Sequence, residues 1–369
     1  MTEPLRSPLD VGHREAGGRF ITFAGWRLPV HYGSILDEAR AVRTGAGMFD
    51  VSHMGRVRVR GSDALEIFRK LSTNDLRRIA PGKAQYTAWC TMDGGTIDDL
   101  IVFWMAPEEF LVVFNASRRH DDLDHLEEHA GDVAMLDETI ATAMIAVQGP
   151  DARRIVAELG TGDAAKLPRF AVERMEIAGV GAVVSRTGYT GEDGVELVSE
   201  AGAGPRVWEA LREKGVVPCG LGARDALRME MGYPLYGHEL GYDSSPLEAG
   251  LAFAVSFDDH DFIGRDALAK QAAEGPPRTL AGFVCEKPAV PQAGDTVGPQ
   301  RSEAEPQSGV VTSGGTSVVL NAPIGLAFVP AGAGLGPATL RTRGKEIPCE
   351  LRALPLIERG RPAAGKKAS

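Results

Sequence analysis

The segment from Asp93 to Val102 carries the residue pair best suited to acid–base chemistry in this sequence, Asp98 and Asp99. The pair opens a predicted strand whose next residues, 100–104, are nearly all apolar. Successive side chains of a strand point to opposite faces, so one carboxylate would face solvent or a loop while the other could enter an interior or a pocket. A carboxylate at the mouth of a buried strand is costly unless a partner hydrogen-bonds it or its charge is used. The alternative is that both are ordinary turn acids, because Asp and Gly dominate turns for local reasons.

A second glycine-punctuated segment, residues 186–197, also leads into a predicted strand that carries an acid, Glu196. Like the first segment, it combines closely spaced glycines with an acid in the strand that follows. His53, which lies among apolar residues at 49–54, is a candidate general base. A single histidine in such surroundings is more often a hydrogen-bonded structural residue, and both interpretations stay open.

The pattern H-x-x-E-H at residues 125–129 would put His125 and His129 one helical turn apart on a single face, as in some zinc peptidases. The surrounding helix has a narrow apolar stripe, Leu123 and Leu126, among charged residues, which is typical of a solvated surface helix. A five-residue pattern also recurs by chance. The four cysteines are far apart and form no CxxC pair, so we predict reduced thiols and no metal site.

The composition limits the classes of partner. The 369 residues, 43% of them hydrophobic, suffice for a large core, and the length favours two or three domains. A net charge of −10, with no dense basic run before Lys366-Lys367, argues against nucleic-acid binding and favours a small-molecule or protein partner. Residues 1–8 contain no apolar segment, and no window approaches the about 18 apolar residues of a membrane span. We therefore expect a cytoplasmic protein without membrane contact.

The hydrophobic periodicity mixes hairpins with helices, which predicts α+β sheet layers. Helices are predicted at 34–44, from residue 63, and at 117–130, 151–160, 205–214 and 223–231; strands are predicted at 19–30, 55–61, 85–91, 98–105, 109–115, 142–148 and within 173–186. Beyond 271–277 short Val, Leu and Thr runs predict a smaller all-β domain. The predicted domains are 1–270, made of two interleaved α+β domains with approximate splits near residues 50 and 140, then 278–357, and a flexible tail at 358–369.

Several longer blocks carry a family resemblance. They are Phe23-Ala24-Gly25-Trp26, Phe49-Asp50-Val51-Ser52-His53-Met54-Gly55, Thr73-Asn74-Asp75, Gln85-Tyr86-Thr87, Gly94 to Val102, Arg186 to Gly194, Gly222 to Arg228, Pro234 to Glu239 and Pro246 to Leu251. Because these blocks occur in the same order as in the family, the chain resembles the aminomethyltransferase family, the T-proteins of the glycine cleavage system. The resemblance spans residues 7–268, and so many blocks do not agree by chance.

The resemblance implies a three-domain cloverleaf, in which two α+β domains and a C-terminal β-barrel surround a central hole for tetrahydrofolate. It also implies a reaction. An aminomethyl group on the lipoyl arm of the H-protein loses ammonia, and its carbon passes to tetrahydrofolate as 5,10-methylenetetrahydrofolate. No metal or bound redox cofactor is needed, and the partners are the lipoylated H-protein and the folate.

The family's motifs assign individual residues by position. The catalytic acid corresponds to Asp99, which would move or stabilise a proton as the folate nitrogen attacks. Glu196 corresponds to the carboxylate that receives the paired N–H donors of the pterin. It shares a strand face with Gly194, whose missing side chain would leave room for a flat ring. Arg224 corresponds to the arginine that meets the anionic side of the folate, and the remaining residues expected to line the pocket are Met54, Tyr86, Asn115, Tyr189 and Tyr236.

The C-terminal domain departs from the family pattern at 291–294, which lacks an arginine, at 312–317, which lacks a Ser-Pro turn, and at 354–357, which lacks aromatics. These changes concern the folate tail or the H-protein contact. Two alternatives stay open: a folate-dependent demethylase of the same fold that acts on a small methylated substrate, and a non-catalytic folate-binding protein. The second typically carries a Lys-Gly-Cys-Tyr block where this chain has residues 186–189, Arg-Thr-Gly-Tyr, which argues against it.

Overall fold

The computed structural model describes residues 3–286, 289–299, 308–358 and 361–362, so most of the predicted tail lies outside the described residues. Within the described chain there are two compact units. The first unit contains residues up to 89 together with 98–224 and 260–262. The second contains 90–97, 225–259 and the described residues from 263 onward.

The described helices and strands follow one another in mixed order. The helices are α1 Asp10–Glu15, α2 Ile35–Thr44, α3 Ala64–Leu71, α4 Arg119–His129, α5 Ala152–Leu159, α6 Gly204–Glu213, α7 Leu221–Met231 and α8 Arg265–Glu274. The strands of the first two-thirds of the chain are β1 Leu5–Arg6, β2 Arg19–Phe23, β3 Trp26–His31, β4 Gly47–Asp50, β5 Gly55–Arg60, β6 Lys83–Cys90, β7 Thr96–Ala106, β8 Glu109–Phe114, β9 Ala134–Asp137, β10 Thr142–Gln148, β11 Val172–Ile177, β12 Val180–Ser185, β13 Gly194–Glu200 and β14 Val217–Cys219. The later strands are β15 Arg278–Cys285, β16 Thr296–Pro299, β17 Gly309–Ser317, β18 Ala322–Pro330, β19 Gly336–Thr342, β20 Lys345–Arg352, β21 Ile357–Glu358 and β22 Arg361–Pro362.

The first unit is built on two larger sheets and a small one. A six-stranded sheet has the order β11-β12-β13-β10-β4-β14, a five-stranded sheet has the order β6-β7-β8-β5-β9, and β1, β3 and β2 form a three-stranded sheet. Helices α5 and α6 pack on the central strand β10 of the six-stranded sheet. Apolar residues such as Met48, Val147 and Trp208 form its buried core. The sheets therefore give rigid support to the glycine-bounded segments that carry the candidate site.

The second unit contains a closed barrel with the strand order β15-β18-β17-β16-β19-β20. Its inner face is apolar, with Phe283, Val311 and Leu340 among the buried residues. Cys285 and Cys349 lie opposite each other on β15 and β20. The backbone N–H of Glu286 donates to Pro348 O at 3.1 Å, so the adjacent cysteine pair occupies a non-hydrogen-bonded position, where facing side chains come closest.

The fold class is confirmed, because mixed α+β sheets precede a closed β-barrel. Ser34, a residue type that favours helix N-caps, begins the helix predicted at 34–44, and it is the N-cap of α2, since its Oγ accepts a hydrogen bond from the backbone N–H of Asp37. The helical period predicts that Leu65, Phe68 and Leu71 of α3 face inward. Phe68 and Leu71 are buried, but Ile67 is buried whereas Leu65 is only half-buried. No helix in the described ranges has both the length and the apolar character needed to cross a membrane.

Candidate functional site

Asp98 and Asp99 lie at the start of β7, beside the end of β8. Ile101 pairs with Val113 in the antiparallel register of these strands, and continuing that register brings Asp99 opposite Asn115. Asp98 has no exposed surface, whereas Asp99 is partly exposed. The two side chains do alternate, with Asp98 in the interior. The expectation that the acid outside the predicted folate pocket would face solvent or a loop is wrong for Asp98. Both carboxylates have partners inside the fold, so the interpretation as ordinary turn acids is also excluded.

Asp99 is held by two side chains. Tyr86 Oη donates to Asp99 Oδ2 at 2.9 Å, and Asn115 Nδ2 donates to Asp99 Oδ1 at 2.8 Å. Burial raises the pKa of Asp99 to about 6, although both hydrogen bonds favour its charged form and act in the opposite direction. A fixed carboxylate with a pKa near neutrality can both accept and return a proton, which is the property expected of an acid–base residue.

Asn115 links the two acids. Its backbone N–H donates to Asp98 Oδ2 at 2.9 Å, and its side-chain amide donates to Asp98 Oδ1 at 2.8 Å as well as to Asp99. Burial, followed by the charge of Asp99, raises the pKa of Asp98. The carboxyl of Asp122, in α4, lies within hydrogen-bond reach of Asp98. The Asn115 amide, predicted to line a folate pocket, thus also holds the two carboxylates in place.

Glu196 lies in the middle of β13, between Ala146 of β10 and Ser185 of β12. It is buried, and the hydroxyl of Thr187 donates to its Oε2. Burial raises the pKa of Glu196, while the Thr187 hydrogen bond and the positive charge of Arg224 lower it. A buried carboxylate of this kind is suited to receiving N–H donors from a ligand.

The predicted role of Gly194 is wrong. A Cβ atom at this position would meet Val147 O at 2.3 Å and Gln148 Nε2 at 2.6 Å, so the neighbouring strand already fills the space that was expected to admit a flat ring. The glycine is required because β10 approaches closely. Gln148 also fixes the preceding loop, because its Nε2 donates to Thr187 O at 3.2 Å and its Oε1 accepts from Thr190 at 3.0 Å.

Arg224, in the first turn of α7, lies over the ring of Tyr189 with its guanidinium carbon 4.7 Å from the ring centroid. Burial lowers the pKa of Arg224, and the negative charge of Glu196 opposes that shift. Its Nη1 atom is buried and has no hydrogen-bond partner among the residues that the structure describes. A buried, unpaired guanidinium N–H is costly, so this atom indicates where a ligand acceptor would bind.

Six of the eight predicted site residues thus lie in two neighbouring clusters of the first unit: Tyr86, Asp99 and Asn115 in one, and Tyr189, Glu196 and Arg224 in the other. The two clusters are linked because the pKa of Tyr86, raised by burial and by Asp99, is raised further by Tyr189. Met54 follows the buried His53, and its carbonyl accepts a hydrogen bond from Arg56. Tyr236 belongs to the second unit, where it forms a bridge with Leu240.

His53 fits the structural interpretation better than the catalytic one. It is buried, with its ring edge-on to Phe23 at a centroid distance of 5.6 Å. Burial lowers its pKa to about 3; Asp50 opposes this shift, and Arg224 and Arg56 add to it. So weak a base is neutral at physiological pH and poorly matched to proton abstraction there.

Helix α4 carries the H-x-x-E-H pattern, and its donor atoms on His125, Glu128 and His129 lie within 4.8 Å of one another. His129 Nδ1 is 2.9 Å from the backbone oxygen of His125. The absence of a metal stays a prediction. The expected character of the helix is partly wrong, because its inward face includes Asp122, which is fully buried beside Leu126.

In the second unit the 312–317 block belongs to a buried polar network. Arg228 Nη2 donates to Ser313 Oγ at 2.7 Å, and Ser313 Oγ donates to Glu239 Oε1 at 2.6 Å. Arg228 and Glu239 also form a buried ion pair at 2.9 Å. At the 291–294 departure, Gln292 Oε1 accepts from Arg343 Nε at 3.3 Å. These two of the three departures therefore have partners within the barrel unit.

Sequence reasoning missed three residues that shape the site: Thr187, Gln148 and Asp122. Thr187 lies inside the glycine-punctuated loop before Glu196, so strand pairing could have suggested it. Gln148 is the last residue of a predicted strand, and nothing in its local sequence marks it as the anchor of another loop. Asp122 lies among charged residues of a helix, a setting in which an acid is usually solvated.

Comparison with known proteins adds the family. A family model described as the GCVT N-terminal domain matches residues 9–259, and the glycine cleavage T-protein C-terminal barrel domain matches residues 278–358. The chain belongs to the aminomethyltransferase family of glycine cleavage T-proteins. It is therefore a member of a family of transferases.

Individual members of this family are similar over almost their whole length. The chain is 43% identical to the aminomethyltransferase of Halalkalibacterium halodurans, covering 98% of this chain and 100% of that protein. It is 43% identical to the aminomethyltransferase of Bacillus subtilis, covering 88% and 90% respectively. The crystal structure of glycine cleavage system aminomethyltransferase T from Bartonella henselae superposes with a TM-score of 0.89 at 30% identity, covering 97% of this chain and 99% of that one.

Proposed function

We propose that this protein is a tetrahydrofolate-dependent aminomethyltransferase of the glycine cleavage system. It would transfer the methylene carbon from the aminomethyl-dihydrolipoyl H-protein to tetrahydrofolate with release of ammonia. The observation that carries the proposal is the carboxylate of the partly exposed Asp99, fixed by Tyr86 and Asn115 beside a second cluster whose buried donor, Arg224 Nη1, has no partner among the described residues. The whole-length similarity to aminomethyltransferases supports it.

The second cluster fits the folate head group. A pterin is flat and offers both N–H donors and a carbonyl acceptor on one edge. Glu196 is a buried acceptor for the donors, and Arg224 Nη1 is a buried donor without a partner among the described residues. Tyr189 supplies an aromatic face next to Arg224. Each ligand group would thus meet a protein group of the opposite hydrogen-bonding character.

Bound tetrahydrofolate supplies the nitrogen nucleophile that accepts the one-carbon unit, and the protein supplies position and proton handling. With a pKa of about 6, Asp99 is mostly charged at neutral pH, so it can stabilise positive charge on a reacting nitrogen or accept its proton. Tyr86 and Asn115 keep one carboxylate rotamer, which holds the accepting oxygen in a fixed position. Met54 and Tyr236 remain proposed pocket residues.

The lipoylated H-protein is the proposed protein partner, and no metal is part of the proposed reaction. The proposed location is the cytoplasm, which fractionation of the source cells would test.

The deciding assay mixes purified protein, tetrahydrofolate and aminomethylated H-protein and measures ammonia and 5,10-methylenetetrahydrofolate in equal amounts. Controls omit each component in turn and include Asp99→Asn. Turnover of sarcosine or dimethylglycine in place of the H-protein would support the demethylase alternative. Tight folate binding without turnover of any of these substrates would support the non-catalytic alternative.

A further inference from the structure

Asp122 is a buried acid that the proposed reaction does not use. It lies in α4 with no exposed surface, and its carboxyl meets that of Asp98, which is equally buried. Neither oxygen of Asp122 accepts a hydrogen bond from an N–H or O–H group elsewhere in the described chain. After Asp98, the charged groups that act most strongly on it are Arg118 and Asp121, which pair with each other.

Two buried carboxyl groups in contact cannot both carry a negative charge at reasonable cost, so the pair shares a proton. Asp98 receives two N–H bonds from Asn115, and these favour its charged form. Asp122 receives none from the residues that the structure describes, which leaves it as the better site for the proton. Burial and the neighbouring Asp98 both raise the pKa of Asp122, and the charge of Arg118 opposes the shift without reversing it.

We propose that Asp122 stays protonated at neutral pH and donates its O–H to Asp98, making it a positioning residue for the catalytic carboxylate. The charged Asp98 then holds the Asn115 amide, and the same amide holds Asp99. The resulting chain of contacts runs from Asp122 through Asp98 and Asn115 to Asp99. The positioning role rests on the proposed function of Asp99, whereas the location of the proton does not.

The location of the proton has a spectroscopic test. Infrared spectra at pH 8 should contain the carbonyl band of a protonated carboxylic acid, and that band should be absent from Asp122→Asn. Asp121→Asn is the matched control, because Asp121 is an exposed acid on the same helix, and it should keep the band. Equal spectra for parent and Asp122→Asn would overturn the proposal whatever the activity.

The pH dependence of the free energy of unfolding is a second, independent test of whether Asp122 keeps its proton. A folded-state pKa above the unfolded value means that the native state keeps a proton that the unfolded state has released. Between these two pKa values, stability therefore falls as pH rises. From this group alone the folding equilibrium constant should fall by about tenfold per pH unit. Asp122→Asn should lack that contribution between pH 5 and 8; an unchanged slope would contradict the protonated state.

The positioning role is tested in the aminomethyl-transfer assay. Asp122→Asn keeps an N–H donor toward Asp98 and should retain near-parental kcat. Asp122→Leu removes the donor, so Asp98 takes up the proton itself and Asn115 loses its charged partner. We expect kcat to fall roughly 10–100-fold with KM for folate within a factor of about two, because the contacts of Glu196 and Arg224 are untouched.

The pH profile separates this role from a general loss of structure. With Asp98 neutral, Asp99 has one less negative neighbour, so the acidic limb of kcat should move down by on the order of 1 pH unit in Asp122→Leu and not in Asp122→Asn. An unshifted limb in folded Asp122→Leu would overturn the positioning role. If Asp122→Leu does not fold, the spectra and the pH dependence of stability still decide where the proton lies. A confirmed proton in a protein that transfers no aminomethyl group would refute the proposed function alone.

Discussion

Replacing Asp99 by Asn removes one charge while the surrounding geometry can persist. The new Oδ1 can accept the hydrogen bond that Asn115 Nδ2 now makes at 2.8 Å. The new Nδ2 can donate to Tyr86 Oη, which at present donates to the carboxylate at 2.9 Å and can instead act as an acceptor. The variant should therefore fold, and its lost activity would report on proton handling.

The expected loss of kcat is about 10²–10⁴-fold, the usual contribution of a general acid–base group, or about 2.7–5.4 kcal/mol of transition-state stabilisation. The free energy of unfolding of Asp99→Asn should not fall with kcat. Burial raises the pKa of Asp99 to about 6 in the folded protein, above its value in the unfolded chain. The contribution of this carboxyl to stability is therefore complete at pH values below the unfolded pKa and is lost as the pH rises to about 6. Above pH 6 the uncharged amide should make Asp99→Asn at least as stable as the parent.

The assay measures ammonia release at saturating H-protein and folate, with urea unfolding of the same samples at pH 7.5. Asp93→Asn is a matched control, since Asp93 is an exposed acid in the turn before β7 and should leave kcat unchanged. Tyr86→Phe extends the test: loss of its hydrogen bond should raise the pKa of Asp99 and move the acidic limb of kcat to higher pH. A folded Asp99→Asn with kcat within tenfold of the parent would refute the assignment, and a limb that moves to lower pH in Tyr86→Phe would refute the electrostatic argument.

Glu196→Gln replaces one acceptor with a donor that would face ligand donors, so it should weaken folate binding by roughly 10–100-fold, or about 1.4–2.8 kcal/mol. It should reduce kcat less than Asp99→Asn does. Unchanged affinity in calorimetric titration would remove Glu196 from the folate site. Cys285 and Cys349 face each other at a non-hydrogen-bonded position, so oxidation by diamide should link them. Peptide mass spectrometry that finds both thiols free in oxidised, folded protein would contradict that pairing. The purified protein should contain no stoichiometric zinc, and activity that is lost on chelation and restored by zinc would assign a metal to His125 and His129.

Periodicity and capping located most of the fold because long amphipathic helices and alternating strands impose strong local patterns. Helix α1 was missed for a local reason. It has Gly12 in its middle, and that glycine is explained only by distant packing, since a Cβ there would lie 3.2 Å from the Trp208 ring. In α3 the buried residue is Ile67 rather than Leu65, two positions earlier, because the sequence alone does not say which of two nearby apolar residues the sheet will cover.

The family motifs predicted individual residues of the site, whereas the space around those residues was not predicted correctly. Resemblance brought Asp99 and Glu196 into the candidate set, and the structure gives each of them a defined partner, Tyr86 and Thr187. The space beside Glu196 was misjudged. An absent side chain at Gly194 looked like room for a ligand, whereas the backbone of β10 occupies that volume. A glycine in a central strand more often marks a close approach of backbone than a cavity.

For the adjacent acids Asp98 and Asp99, the rule that strand side chains alternate was correct, but the surroundings predicted for Asp98 were wrong. Alternation along β7 separates the side chains of Asp98 and Asp99, but it does not say that one side of the strand is water. Here α4 lies on the inner side and presents Asp122, the last residue of the charged and polar stretch 117–122. Only the fold reveals that the carboxyl of Asp98 meets that of Asp122 and is held by the Asn115 amide. A conservative change at Asp98 is therefore expected to disturb the support of Asp99, so it is not a neutral control for the catalytic role proposed for Asp99.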